Sequence, residues 1–342
     1  MSSKQNKLGG KKFTLNTEKF LLIIIILYSI VVTCVNTEFF SLATLFDLVK
    51  SSAPTLVVSF GLLLVIISGG IDVSFTAVGI FSGYVAITTM INTGVDNLLF
   101  GFVIAILVGA VLGAINAALI HVTKMEPFII TLGTSSIYQG FLLTFIGTKN
   151  IGSVDIPKSM TEFSMSRLVT MEDSYGTLMG LSVTILFVLV VGILTWFIMY
   201  KTMLGRSIFA LGCSSEAARR AGFNIWKTHL FIYIYMGILG ALYGMLSISV
   251  VNACNPVSMV GEELGIIAAV IIGGAKATGG HGTLFGTVLG VTIMYLFNQT
   301  LVFMGLSSSW NDLFLGAVLL FSIIVTSYQE RKKNRNMFIF TE

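Results

Sequence analysis

Residues 98–120 read LLFGFVIAILVGAVLGAINAALI, a run without one charged side chain. As a helix rising 1.5 Å per residue, it is long enough to cross the ~30 Å hydrocarbon core of a bilayer. Nine further stretches of the same character flank it, at roughly 20–35, 51–68, 76–92, 127–146, 177–199, 229–250, 262–275, 283–303 and 311–328. With 55% hydrophobic residues, 11% charged residues and a mean hydropathy of +0.92, a water-soluble globule of 342 residues would have nowhere to put its apolar surface. A backbone in hydrocarbon must satisfy its own hydrogen bonds, and these runs are long and non-alternating, which points to helices rather than a barrel. The expectation is an all-α integral membrane protein with about ten transmembrane helices, two of them short or glycine-rich enough to be broken.

Charge sets the orientation. With a cytoplasmic N-terminus, sixteen of the 20 Lys and Arg residues fall on the inner side, leaving only Lys50, Lys149, Lys158 and Arg167 outside. That is the positive-inside asymmetry, and an even number of spans returns the C-terminus, with its basic Arg331-Lys332-Lys333, to the same side. Residues 147–176 are then extracytoplasmic and residues 200–228 cytoplasmic, within a single domain covering 1–342. The basic start followed by Phe20 to Val32 imitates a cleaved signal, but Thr33 before Cys34 is too large for lipoprotein processing and nine spans follow, so the first span is read as retained. Cys34, Cys213 and Cys254 stand at no metal-ligand spacing, and an odd count does not suggest a disulfide framework. A net charge of +4 is accounted for by topology and calls for no nucleic acid.

In the outer stretch, Met160, Phe163, Met165 and Leu168 are spaced for a short interfacial helix, and a loop lying on the headgroups is the alternative. A faint echo relates Val65-Ile66-Ile67-Ser68-Gly69-Gly70, then Gly79 and Gly83, to Val270-Ile271-Ile272-Gly273-Gly274, then Gly282 and Gly286. Duplicated halves and ordinary Gly-x-x-x-Gly helix packing both account for it.

Asp72, in Gly69-Gly70-Ile71-Asp72-Val73-Ser74, is the one carboxylate near the middle of a long apolar block. An unpaired charge there costs several kcal/mol, so Asp72 must reach helix-terminus amides, a cation or an aqueous cavity. Two roles fit: capping of the third span, which Ser74 opens, or a gate in a pathway. Other polar groups within or beside spans are Asn116, Thr131, Thr134, Ser135, Ser136, Gln139, Asn252, Asn255, Asn298 and Gln299. Thr131, Ser135 and Gln139 recur at four-residue spacing and form one polar stripe. Uncharged hydroxyls and amides suit a neutral polyhydroxylated solute, and interhelical hydrogen bonding is the alternative use. No carboxylate ring or proton-relay chain appears within the spans, which argues against an ion pathway. His121, His229 and His281 fall at span edges.

Between spans six and seven lies Ser214-Ser215-Glu216-Ala217-Ala218-Arg219-Arg220-Ala221-Gly222. Ser215 can cap this short helix, Glu216 sits at its positive start, Arg219 and Arg220 at its negative end, and Gly222 can stop it in the left-handed conformation. About two turns cannot persist alone in water, so the residues leave a docked helix and a solvated loop as alternatives. The chain has no Gly-x-x-x-x-Gly-Lys-Ser/Thr phosphate loop, so an ATP-driven process would place the ATPase on another chain.

At these residues the sequence resembles the permease subunits of bacterial ABC importers for simple sugars such as ribose, xylose and galactose. The resemblance spans nearly the whole chain. It rests on residues 68–74, on Glu126-Pro127-Phe128-Ile129-Ile130-Thr131-Leu132-Gly133-Thr134, on 212–224, and on Ile271 to Gly274 with Gly279-Gly280-His281-Gly282 and Gly286. It implies a fold similar to the ten-helix vitamin B12 importer permease, of the type II ABC importer class, in the bacterial inner membrane. It further implies a second permease subunit, identical or paralogous, two cytoplasmic ATPases that hold ATP and Mg, and an extracytoplasmic sugar-binding protein. This chain would then be no enzyme, would hold no cofactor or metal, and would lie in membrane lipid beside those partners. On that likeness residues 214–222 become the ATPase-coupling helix, with Ala217, Ala218 and Ala221 permitting close approach. The pathway or gate candidates are Asp72, Ser74, Asn116, Thr131, Ser135, Gln139 and Asn298. Alternatives are an ion-coupled secondary transporter of a small polar solute and a non-transporting membrane scaffold.

Overall fold

The computed structural model describes residues 17–172 and 178–305, with isolated positions between 307 and 320. The helices are α1 Thr17–Val35, α2 Leu42–Ile67, α3 Phe75–Thr93, α4 Leu98–Thr123, α5 Pro127–Phe141, α6 Lys158–Met165, α7 Thr184–Lys201, α8 Met203–Cys213, α9 Ser215–Arg220, α10 Ile225–Val251, α11 Glu263–Ile272 and α12 Leu284–Phe303. A π-helical turn, Leu142–Ile146, prolongs α5, and β1 Arg167–Glu172 pairs antiparallel with β2 Leu178–Ser182.

Among the described residues, eight helices are long and apolar enough to cross a membrane: α1, α2, α3, α4, α5 with its π turn, α7, α10 and α12. The expected span at 262–275 is the 10-residue α11, about 15 Å long and too short to cross alone. The expected span at 311–328 lies mostly outside the described residues. The sixth span starts later than its hydropathy suggests, because residues 178–182 pair with β1 and the helix begins only at Thr184. An all-helical reading misses this hairpin, in which Gly180 lets the β1 backbone come close at Val169.

Helix ends are set by local chemistry. Ser41 accepts the Thr44 N–H at the start of α2, Asn97 accepts those of Leu99 and Phe100 at α4, and Asn224 accepts that of Lys227 at α10. The echoed glycines close α2 and α11 in the same way. Gly69 and Gly274 are left-handed, at φ +88° and +96°, and return their N–H to Ile66 and Ile271. The next residues, Gly70 and Ala275, reach back to Val65 and Val270.

The core gathers around α2 and α10. Within their apolar 18-residue stretches, 89% of the residues of α2 and 72% of those of α10 are buried, whereas α1 has only 11% buried and packs chiefly on α12. Helix α10 packs on α4 where Gly237 meets Gly109 and Gly113, and on α3 where Gly240 and Gly244 meet Gly79. Small residues bring these backbones together, and dispersion across the close contacts replaces a hydrophobic driving force that lipid does not supply.

The short helix expected in the outer stretch is α6, and it packs on protein. Met160 and Phe163 are buried, with Phe163 edge-on to Phe102 of α4 and Phe187 of α7, while Met165 and Leu168 stay exposed. The carboxylate of Asp96 accepts the N–H groups of Lys158 and Ser159 at 3.1 and 3.0 Å, tying the α3–α4 turn to the first turn of α6.

Candidate functional site

The α2 corner at Ser68–Gly70 turns the chain through residues 71–74 into α3, and this is where the buried polar groups converge. Asp72 is 2% exposed, and its Oδ1 accepts both the backbone N–H and the hydroxyl of Ser74 at 2.7 Å. Ser74 occupies the N-cap position of α3 without capping it: its backbone is already helical, at φ −85° and ψ −12°, and its hydroxyl donates to Asp72. The same oxygen accepts Asn116 Nδ2 from α4 at 2.8 Å, and Asn116 Oδ1 accepts the Tyr138 hydroxyl from α5 at 2.8 Å. Thr131 of α5 holds the segment beside this chain: its Oγ1 accepts Val73 N–H at 3.2 Å and lies 3.3 Å from Ile71 O.

One carboxylate, a hydroxyl, an amide and a phenol thus join the start of α3 to α4 and α5. The Asp72 bonds are of the Asx-turn kind, which organise the helix entry, and they provide the donors that a buried carboxylate requires. Ser135 is buried on the same face of α5, whereas Gln139 turns away to donate to Pro256 O at 2.9 Å. Asn298 is exposed on α12 and does not join the network. The remaining amides serve structure: Asn252 ends α10 at φ 52°, Asn255 accepts Val257 N–H, and Gln299 donates to Thr44 O.

Two features escape sequence reading. Tyr138 looks like one more hydrophobic residue in an apolar run, although it closes the Asp72 network. Glu262 and Glu263, at the edge of an expected span, accept the hydroxyls of Tyr243 at 2.7 Å and Thr76 at 3.1 Å. The signal available was the paired carboxylate beside apolar sequence, which requires partners.

The inner helix α9 is capped one residue earlier than its sequence suggests. Ser214 is extended at φ −168° and ψ 118°, and its hydroxyl accepts the Ala217 N–H at 3.2 Å, while Ser215 is the first helical residue. Gly222 stops the helix at φ +87°, and Phe223 N–H returns to Ala218 O at 3.1 Å. Glu216 and Arg220 pair one turn apart, both well exposed, which adds little to stability. Ala217, Arg219 and Ala221 are exposed, whereas Ala218, expected among the outward small residues, is turned inward at 1% exposure. That inward contact supplies the docking which so short a helix requires.

Glycines seat the end of α8, which carries α9, against the α2 corner. The residue before Cys213 is Gly212, where any side chain would overlap the Ile67 carbonyl, and Gly280 donates its N–H to that carbonyl at 2.8 Å. Three backbones therefore meet where α2 ends, five residues before Asp72, and α9 begins three residues after Gly212. Among the described residues no group of three or more His, Cys, Asp or Glu could hold a metal ion.

Residues 44–323 match the protein family described as branched-chain amino acid transport system / permease component. The ribose import permease protein of Haemophilus influenzae is 27% identical over 322 residues, covering 94% of this chain and 96% of that one. That of Bacillus subtilis is 30% identical over 309 residues, 89% and 90% of the two chains. The D-allose transport system permease protein of Escherichia coli is 30% identical over 272 residues, 80% and 79%. No solved structure matches the chain.

Proposed function

This chain belongs to the permease family of simple-sugar ABC importers, and we propose that it forms the membrane pathway for a simple sugar or related polyhydroxylated solute. A binding protein outside delivers the solute, and separate cytoplasmic ATPases, holding ATP and Mg, supply the free energy. This chain is itself no enzyme and binds no cofactor. Residues 1–342 act as one permease domain of about ten spans, the half-length α11 counted as a broken one, similar in fold to the vitamin B12 importer permease, beside a second permease subunit. The observation that carries the reading is the mounting of α9, which exposes Ala217, Arg219 and Ala221 while its root at Gly212 touches the corner leading to Asp72. A partner that moves α9 thereby acts on the segment holding the buried polar network. Solute and ATPase each shift the inward and outward states only through unequal affinity for them.

Reconstitution with the ATPase and binding protein tests this. ATP-dependent uptake is expected for at least one sugar of a panel that includes ribose, xylose and allose, and uptake of none would overturn the reading. In the same assay Asp72→Asn keeps an oxygen that can accept both Ser74 bonds but loses the charge. Uptake is expected to fall about three- to fivefold at unchanged membrane abundance. Normal uptake would reduce Asp72 to an ornament of the helix entry.

Orientation is tested by cysteine labelling. We place residues 147–176 outside and 200–228, with both termini, in the cytoplasm. In a chain with Cys34 and Cys213 replaced by Ser, Asp155→Cys should react with an impermeant maleimide from outside and Lys201→Cys should not. Cys254 is a silent background, being fully buried with its thiol pushed up to about 12 by that burial. Labelling at both positions from outside would refute the topology.

A further inference from the structure

A cavity of about 410 Å³ opens between the α2 corner, the α4–α5 turn, the start of α9 and α10. Its volume falls within the range of small-molecule sites, ~300–1,000 Å³. Hydroxyl groups dominate its polar lining: Ser68, Ser214, Ser215, Thr278 and Tyr233. Ser214 accepts the Ala217 N–H and retains a proton to donate, while Ser68 gives its proton to Val65 O and retains lone pairs to accept. Tyr233 is 1% exposed, and its hydroxyl, beside Gly70 of the same lining, has no hydrogen-bond partner among the described residues. A buried hydroxyl left unpaired is costly, and a polar ligand that paired with it would recover that cost. The lining charges Lys124 and Glu126 are of opposite sign, so an anion or a cation would meet a like charge where a neutral polyol meets none.

We propose that this cavity is a second, low-affinity site for the transported class of neutral polyhydroxylated solute, reached from the α9 side, through which the imported solute restrains its own uptake. The proposal rests on the import reading above. A solute that bridges Ser214 and Ser215 at the root of α9 to Ser68 and Tyr233 joins the coupling helix to the α2 corner. It resists any displacement of α9 that pulls the two apart, because its affinity for the separated state is lower. Product on the cytoplasmic side therefore slows the cycle without competing for the binding protein outside.

The test uses the reconstituted complex in proteoliposomes with the ATPase facing out and the binding protein and solute enclosed, with D-ribose and D-allose as probes. One of these sugars, added at about 50 mM on the ATPase side, should slow stimulated ATP hydrolysis about threefold or more. Tyr233→Phe should abolish that inhibition while its uninhibited hydrolysis stays within about twofold of wild type. Equal inhibition in both proteins, or none in an actively stimulated wild type, overturns the site. A second measurement needs no transport: thermal unfolding of the detergent-solubilised chain with either sugar at about 100 mM, where wild type should be stabilised more than Tyr233→Phe. Equal shifts with both sugars overturn the site whatever the complex does. A larger wild-type shift in a complex that shows no sugar-stimulated hydrolysis would uphold the cavity and sink the import reading instead.

Discussion

Gly237→Val should leave almost no folded chain in the membrane. Gly237 lies where α10 crosses α4, and a side chain there would overlap the carbonyl of Gly109 and come to 3.0 Å from the Cα of Gly113. The contact is reciprocal, because a side chain at Gly109 would meet Gly237 O, and one at Gly113 would meet Tyr233 O. Each obstacle is backbone, so no rotamer change relieves it and the helices must separate. Overpacking that neighbouring side chains can absorb costs about 1–3 kcal/mol. Here α10 would also lift from α3 at Gly240 and Gly244, so a loss of ~3 kcal/mol or more is expected. Gly133→Ala on α5 is the control, since none of the described residues lies within 4 Å of a side chain built there. Size-exclusion profiles of solubilised membranes decide the matter, and a wild-type amount of monodisperse Gly237→Val would show that the α4–α10 contact does not hold the bundle.

Ala217→Trp should cut sugar-stimulated ATP hydrolysis at least about twentyfold, while surface exposure keeps the cost to the chain's own stability within about 0.5 kcal/mol. Ala217 is exposed on the free side of α9, so an indole there clashes only with a partner that receives the helix. Ala218, which sequence alone would nominate equally well, is buried, and a bulky residue there would break the chain's own packing without testing coupling. The measurements are stimulated hydrolysis and co-purification of the ATPase, with size exclusion as the check on folding. Wild-type values for both in Ala217→Trp would return residues 214–222 to the status of a surface loop.

Both substitutions turn on contacts between residues far apart in the chain, and that is where sequence reading stops. Asp72 was legible as a residue in need of partners, and Ser74, two positions on, was a natural one. Asn116 and Thr131 were legible as polar groups in apolar runs, but only packing brings them to the same segment, 42 and 58 residues from Ser74 and Val73. Tyr138 gave no signal, because a phenol in an aromatic-rich helix is indistinguishable from core until its hydroxyl finds Asn116. Asn298 carries the same kind of side chain as Asn116 and lies outside the network, exposed on α12.

By itself the sequence determined the solvent, the helical class and the local chemistry by which helices end, though not every boundary: the second span, expected from 51, begins at Leu42. A charge-free run of 23 residues must satisfy its backbone internally wherever it sits in lipid, and caps such as Asn97 and Gly222 act on neighbours two to four residues away. Tertiary structure alone decided which polar groups meet, which face of α9 is free and where hydropathy misleads. Residues 178–182 are a strand because β1 pairs with them, and Ala218 is buried because the rest of the chain covers it. Gly212 matters because the Ile67 carbonyl and the Gly280 amide converge on it from 145 and 68 residues away. Periodicity and capping are local energies, encoded within a turn or two, whereas these arrangements arise from backbone surfaces that come together only when α2, α8 and α10 pack.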